Sequence, residues 1–530
     1  MAIFAAPPGL ISTRRQLAVA LALLLTSGLT LSGCSQLPPL AGRTASTYLT
    51  GADDSTALGA AVAPLTAAHP GQSGVYAMPV GADAFAARVM LANAAQRSLD
   101  VQYYIWNNDI TGMLLFNALR AAAERGVRVR LLLDDNNTAG LDPVLTQLSA
   151  TPNIEIRLFN PFPMRSLRAL GYLTDFSRLN RRMHNKSFTA DNEATIVGGR
   201  NIGDEYFGAA GEVLFSDLDV VAIGPAVGAV SREFDRYWNS DSAYPLASLV
   251  PGPPPADAAA RFQAEVAEVS QRPAGRAYLD ALRVSPFVKQ LVARELPLDW
   301  AVARLVSDDP AKVLGKAPAR TRVISKLEAM LGAPATSVDL VSPYFVPGKE
   351  GAEAFEAMAR RGVKVRILTN SFAATDVALV HAGYVKWRQP LLASGVQLYE
   401  MRRSWAKGEG GERGGPLGSS AASLHAKTFA VDGKRIFVGS FNFDQRSADL
   451  NTEMGFVIDS PALAQRLTAG LSERLPTRAY EVRLAPDRSL YWIERDDQGK
   501  QVRYDTEPET SVFTRAGVGV MSVLPIDWLL

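Results

Sequence analysis

Cysteine is nearly absent: one residue in 530, Cys34, which excludes an intrachain disulfide framework. Neither sign of charge is in excess, with 55 Lys and Arg against 53 Asp and Glu, a net charge of +2 and a pI near 8.5. That balance supplies no general pull on polyanions, so a nucleic-acid partner is not expected. The longest apolar run near the start, Leu17 to Leu31, is too short to cross a bilayer comfortably. What is there, 47% hydrophobic and 20% charged residues, is ordinary globular composition. The length suits two domains or one large pseudo-symmetric body.

The position of the lone cysteine is informative. Arg14-Arg15 precede the apolar run, which ends in Leu31-Ser32-Gly33-Cys34. A charged stretch, a short apolar stretch and small residues before a cleavage point resemble a bacterial lipoprotein signal, residues 1–34, with Cys34 the lipidation site. Residues 35–75, rich in Pro, Ala, Gly, Ser and Thr, read as a tether. The expected location is the bacterial cell envelope, anchored to a membrane and facing the periplasm.

The chemistry is carried by two copies of one skeleton, H-x-K-x4-D. The first is His184, Lys186 and Asp191, followed by Gly199 and Asn201; the second is His425, Lys427 and Asp432, followed by Ser440 and Asn442. For a given His, this spacing arises by chance roughly once in a thousand, so the repeat is not a coincidence. Alternation predicts a strand from His425 to Ala430 that turns His425 and Lys427 to one side. Asp432-Gly433 then reads as a two-residue hairpin turn before a return strand from Ile436 to Gly439. Asp432 at that turn is expected to fix the hairpin or balance a cation. A neutral imidazole is a nucleophile or proton carrier, and an ammonium beside it holds a negatively charged oxygen. Duplicated, the set suits phosphoryl transfer: one His attacks phosphorus, the other protonates the leaving oxygen, and Lys186, Lys427, Asn201 and Asn442 bind phosphate oxygens.

The duplicated motif, followed by G-[SG]-x-N, resembles the signature of the phospholipase D superfamily. Asp134-Asp135-Asn136-Asn137, Gly198-Gly199-Arg200-Asn201-Ile202-Gly203-Asp204 and Leu450-Asn451-Thr452-Glu453-Met454-Gly455-Phe456 are similar to its bacterial cardiolipin synthase branch. The likeness extends from about residue 70 to the closing Leu524-Pro525-Ile526-Asp527. It implies a catalytic set of His184, Lys186, Asp191, His425, Lys427 and Asp432, with no metal or other cofactor. It also implies phospholipid substrates, phosphatidylglycerol and a second lipid such as phosphatidylethanolamine, met at a membrane surface. His184 would form a phosphatidyl-histidine while His425 protonates the departing alcohol and then activates the acceptor. Members of the superfamily place an acidic residue downstream of each motif, where it fixes the imidazole tautomer. Glu453 fits that place for His425 and Asp217 for His184, with Asp219 the alternative. Gly199 departs from the Ser at position 440, so the first half-site lacks a hydroxyl. Water as acceptor would turn the same intermediate into phospholipase D or phosphodiesterase chemistry, and a silent structural lipoprotein is the remaining alternative.

Strands and helices alternate, which argues for an α/β fold. Arg361-Gly362-Val363-Lys364-Val365-Arg366 repeats Arg125-Gly126-Val127-Arg128-Val129-Arg130, offset by 362 − 126 = 236 residues, against 425 − 184 = 241 at the motifs. Two duplicated α/β sandwich halves, residues 76–240 and 331–475, should therefore pack about a pseudo-two-fold axis, and one chain suffices for the site. Residues 241–330 are expected to form a helical insertion packed on the second half, with Leu282, Phe287, Leu291, Leu296 and Trp300 candidates for a membrane-facing surface. Residues 476–530 are a C-terminal extension, and the Gly- and Ser-rich segment 404–423 is a candidate gate. Arg165, Arg168, Arg178, Arg181 and Arg182 interleave with Leu167, Leu170, Tyr172, Leu173 and Phe176, which predicts a surface that meets anionic head groups. His381 is structural or an acceptor-site residue, and His69, in the tether, has no assigned role.

Overall fold

The computed structural model describes residues 37–49, 55–209, 214–293, 295–375, 377–403 and 422–523. The segment with Cys34, most of the 404–423 loop and the closing Leu524 to Asp527 lie outside these residues.

The first half contributes β1 (Ser73–Met78), β2 (Ser98–Ile105), β3 (Arg128–Asn137), β4 (Ile154–Phe159), β5 (Ser187–Ala190), β6 (Ala194–Gly198), β7 (Leu214–Ser216), β8 (Asp219–Ile223) and β9 (Ala243–Pro245). β10 (Asp299–Ala301) and β11 (Ala303–Ser307) follow. The second half adds β12 (Ser337–Val341), β13 (Lys364–Asn370), β14 (Gln397–Met401), β15 (Ala422–Leu424), β16 (Lys427–Val431), β17 (Arg435–Gly439), β18 (Met454–Ile458), β19 (Ala479–Leu484), β20 (Leu490–Arg495) and β21 (Gln501–Tyr504). One sheet runs β10-β1-β8-β6-β5-β2-β3-β4-β9 and the other β11-β18-β17-β16-β12-β13-β14-β19-β20-β21. The run β8-β6-β5-β2-β3-β4 of the first matches β18-β17-β16-β12-β13-β14 of the second, each with three parallel strands continued by antiparallel ones.

The repeat is written into local chemistry. Gly126 (φ +94°) and Gly362 (φ +88°) take the left-handed conformation that ends a helix and releases the next strand. Two residues into each of those strands comes an ion pair at 2.7 Å, Arg130 with Asp100, which is buried, and Arg366 with Asp339, which is partly so. Helices Gly81–Ala94 and Ile110–Glu124 cover one face of the first sheet with an apolar core that includes Phe85, Leu91, Phe116 and Leu119. The opposite face meets the second half. There Val197, Val220 and Val230 pack with Val438, Met454, Phe456 and Leu463, the last from helix Pro461–Arg478. Burying this seam fixes the two halves as one body.

Two segments differ from expectation. Residues 37–49 are strapped to the first half. Arg43 donates to the carbonyls of Asn239, Ser240 and Ala243 at the end of helix Pro225–Trp238, and Arg157 and Arg130 donate to the carbonyls of Thr44 and Ser46. A cation is well placed against the free carbonyls at a helix C-terminus. Helix Ala57–Ala67 follows, and His69 stacks on Trp300 with centroids 3.9 Å apart.

The second difference is the insertion. Its helices bury Phe262, Val266, Tyr278 and Phe287 against the core of the first half rather than the second, and Leu282, Leu291, Leu296 and Trp300 pack around them. Phe287 is thus no membrane-facing residue. From Asp299 onward the chain belongs to the sheets: β10 pairs with β1 and, one residue later, β11 pairs with β18. One extended segment therefore serves as an edge strand of both sheets.

Candidate active site

Each motif lies at the start of a strand that runs antiparallel to the first parallel strand of its half, β5 against β2 and β16 against β12. The strand expected from His425 to Ala430 is interrupted: β15 ends at Leu424 and β16 begins at Lys427. His425 sits in the break, where its N–H and that of Ala426 both donate to the carbonyl of Ser216. His184 is held in the same way, its N–H donating to the carbonyl of Thr452 at 2.8 Å. The chain before each His thus pairs with the chain just before the carboxylate of the other half, β15 with β7 and Met183 with Thr452.

This pairing corrects the expected carboxylate assignment, which is crossed. His184 Nδ1 lies 2.9 Å from Glu453, and His425 Nδ1 lies 2.6 Å from Asp217. Asp219 backs neither His; it pairs with Arg88 at 2.8 Å. The two backing groups are not equal. Glu453 accepts from Ser440 Oγ on one oxygen and from Ser447 Oγ (2.9 Å) on the other. Asp217 accepts from the N–H of Leu218 at 2.7 Å. At the place of Ser440 the first half has Gly199, and a Cβ there would stand 2.2 Å from Asp217 Oδ1. The missing hydroxyl is therefore the space the shorter carboxylate occupies.

The Asp of each motif is placed away from the chemistry, which corrects its inclusion in the catalytic set. Asp191 accepts from the N–H groups of Gln96, Arg97 and Ser98, and Asp432 from those of Ala335, Thr336 and Ser337. Each ties its hairpin to the loop entering the neighbouring strand. Burial acts to raise the Asp432 carboxyl, but those N–H groups outweigh it and hold it below the usual range. The turns span three residues, since Ala190 pairs with Ala194 and Val431 with Arg435. Asp191, Asn192, Asp432 and Gly433 all have φ between +51° and +60°, a region that Asn, Asp and Gly tolerate best.

Lys186 and Lys427 each donate to the carbonyl of their own His, and Lys427 Nζ also lies 2.9 Å from His425 Nδ1. Burial, followed by the field of the two ammonium groups, pushes both imidazoles well below their ordinary pKa, so both are neutral at rest. Burial likewise lowers Lys186 against the pull of Glu453, and raises Asp217 against that of Lys427. It pushes Glu453 up to about 7, opposed first by Lys186.

The two asparagines differ. Asn201 accepts from the N–H of Ile105 (3.2 Å) and donates to Tyr206 OH (2.9 Å), so it braces the wall as well as facing the cleft. Asn442 Oδ1 is buried without a hydrogen-bond partner among the described residues. The sequence reading missed the aromatic walls: Tyr104 stands edge-on to His184 and Tyr206 to His425, centroids 5.0 and 5.2 Å apart. It also missed Asp308, whose N–H donates to the carbonyl of Glu453 and whose carboxylate accepts from the N–H of Glu453 and from Lys312, each at 2.9 Å, and is raised to about 6 by burial. No spacing rule marks these residues. The role of Asp308 follows from the bridging strand β11, which ends beside Glu453.

The arginine cluster is also placed differently from expectation. Arg165 pairs with Asp135 and Asp142, Arg178 with Asp175, and Arg182 with Asp134, while Arg168 donates to the carbonyl of Asp135. These four serve the protein's own acids and carbonyls. His381 is buried in a network with Glu507 and Arg388 that fastens the C-terminal extension. Among the described residues, no group of three or more His, Cys, Asp or Glu is arranged to hold a metal ion.

Two α/β halves that each present a His and a Lys to one cleft, and back the other's His with a carboxylate, define the phospholipase D class. The chain belongs to it: the family described as "Cardiolipin synthase, PLD-like domain" matches residues 89–238 and again 327–475. The chain is similar to cardiolipin synthase C of Escherichia coli (strain K12), 51% identical over 480 residues, 89% of this chain and 99% of the relative. The major cardiolipin synthase of Bacillus subtilis (strain 168) is 24% identical over 74% of this chain and 67% of its own length. Among solved structures, phosphatidylserine synthase of Haemophilus influenzae superposes with a TM-score of 0.53 at 12% identity, covering 86% of this chain and 95% of that one, which shows the shared fold.

Proposed function

We propose that the protein is a phosphatidyltransferase that forms cardiolipin from phosphatidylglycerol and a second phospholipid. The observation that carries this reading is the pair of neutral histidines, each with Nδ1 on a carboxylate of the opposite half. His184 Nε2 attacks phosphorus, the bond to the leaving alcohol breaks, and that oxygen takes a proton from His425. The substrate's negative charge between Lys186 and Lys427 offsets the ammonium repulsion at rest, which lets His425 carry the proton it delivers. His425 then removes the hydroxyl proton of a phosphatidylglycerol, whose oxygen attacks phosphorus and releases His184. Glu453 and Asp217 hold the tautomers and steady the imidazolium.

The protein acts as a monomer on lipids of a bacterial envelope membrane, held there by a lipid on Cys34 and facing the periplasm. Among the described residues no helix is long and apolar enough to cross a membrane. Mass spectrometry of products from phosphatidylglycerol, with and without phosphatidylethanolamine, tests the activity; cardiolipin is expected, and phosphatidic acid alone would make the enzyme a hydrolase. Acid-sparing quench during turnover should trap the phosphatidyl label on His184.

A further inference from the structure

Helix Arg168–Leu179 presents an unusual surface. Leu167, Leu170, Leu173 and Phe176 are 58, 40, 82 and 42% exposed, each within one turn of the next, while Arg165 and Arg168 turn to Asp135 and Asp142 and Arg178 pairs with Asp175 on its own helix. The charged groups of this segment pair with the protein's own acids and carbonyls, while its leucines and Phe176 stand exposed.

The helix adjoins the cleft. Tyr172 OH donates to Asn136 Oδ1, the next residue Asn137 donates to the carbonyl of Tyr104, and Tyr104 forms the wall beside His184. From the other half, Arg446 donates to the carbonyl and the side chain of Asn180, just past the helix end.

The strapped N-terminal segment lies on the same edge. Arg43 grips the loop 239–243, whose Ser242 carbonyl accepts from the N–H of Asn160, and the Asn160 amide donates to the carbonyls of Arg178 and Arg181. Only nine residues separate Cys34 from Arg43 (43 − 34), a reach of at most about 30 Å. A lipid on Cys34 therefore holds this edge close to the bilayer.

We infer that the Leu167–Phe176 face of this helix docks into the apolar part of a phospholipid bilayer and sets the mouth of the cleft at the lipid surface. The inference rests on the membrane-lipid reading of the active site and on the anchor at Cys34. Because Arg165, Arg168, Arg178 and Arg182 are committed to the protein's own acids and carbonyls, the contact is apolar, and neither anionic lipid nor low salt is needed to make it.

The test uses the full lipidated chain. With Cys34 lipidated, Leu173→Cys supplies one free thiol for an environment-sensitive dye, and Ala264→Cys, exposed on helix Ala258–Gln271, supplies the comparison. In phosphatidylcholine vesicles carrying acyl-chain quenchers, the dye at 173 should be quenched at least about twofold, equally at low and at high salt. The dye at 264 should stay accessible to aqueous iodide. Leu170→Ser with Leu173→Ser should lower activity on vesicles at least about tenfold, the scale of losing one buried leucine, and leave activity in detergent micelles unchanged.

Three results would overturn docking: full iodide access at 173 on vesicles, quenching that appears only with anionic lipid at low salt, or shielding of 173 without lipid through association of two copies. A wild type that makes no cardiolipin in micelles, yet is quenched at 173, would defeat the activity reading and leave docking standing. The intact mass reports the lipid on Cys34 separately.

Discussion

Replacing the two backing carboxylates one at a time, Glu453→Gln and Asp217→Asn, separates the half-reactions. Glu453 is a buried acid whose pKa moves from 4.5 to about 7. Because the folded-state value is the higher one, its contribution to stability is present below pH 4.5 and is lost as pH rises through 7. The shift corresponds to about 3 kcal/mol. At pH 8, Glu453→Gln should therefore unfold at a higher temperature than wild type, by whatever part of that remains after its altered contacts with Ser440 and Ser447. Near pH 4 the advantage should vanish.

Activity should go the other way. A neutral amide cannot fix the tautomer of His184 or steady its positive charge, and turnover should drop about a thousandfold. A phosphatidyl ester of p-nitrophenol needs little acid assistance, so the burst of p-nitrophenol reports formation of the intermediate alone. With label on His184, Glu453→Gln should lose the burst, while Asp217→Asn should keep it and lose turnover on natural lipid. Crossed pairing requires that the carboxylate whose loss silences the burst lie in the half opposite the labelled His. A burst silenced by the carboxylate of the same half would refute it.

The acidic limb of kcat/KM should fall near pH 7, with activity gained as Glu453 loses its proton. Ser440→Ala removes a hydroxyl that stabilises the anion and should move that limb upward by about one unit. Gly199→Ser should lower activity about a hundredfold, because its Cβ would displace Asp217 from 2.2 Å; activity within threefold of wild type would show that the carboxylate does not need that space. Turnover should survive thorough chelation, and a loss restored by one divalent ion would bring a metal into the mechanism. Cys34→Ala should leave a longer, unlipidated precursor on an intact-mass measurement, and an unchanged mature mass would remove the anchor.

The motifs were readable because their chemistry is local: a His and a Lys two apart share a face, and an Asp beside Gly433 occupies a turn. The duplication was readable from the same kind of signal, the repeated Arg-Gly-Val before β3 and β13. The crossing of Glu453 and Asp217 was not, because it depends on β7 pairing with β15 between distant parts of the chain. Spacing from a motif to the next acid says nothing about which half that acid will face. The arginines before His184 misled for a related reason. Their partners Asp134, Asp135 and Asp142 lie 23 to 48 residues upstream (165 − 142 and 182 − 134 span the contacts), brought close only by the return of β4. Composition likewise marked residues 35–75 as a tether and could not foresee Arg43 gripping a helix end.

The two half-sites share a skeleton yet differ where it matters for catalysis. Glu453 is longer, takes two serine hydroxyls and has its backbone clamped by Asp308; Asp217 is shorter, rests over Gly199 and has Lys427 close to its imidazole. A symmetric pair of histidines would be equally apt as nucleophile or acid, and nothing would set the order of steps. Unequal carboxylates break that tie, since groups whose surroundings separate their proton affinities take separate roles. The hydroxyl-stabilised Glu453 suits a His that must acquire a lasting positive charge in the phosphatidyl intermediate. The looser Asp217, beside an ammonium, suits a His that takes up and gives away a proton in each half-reaction.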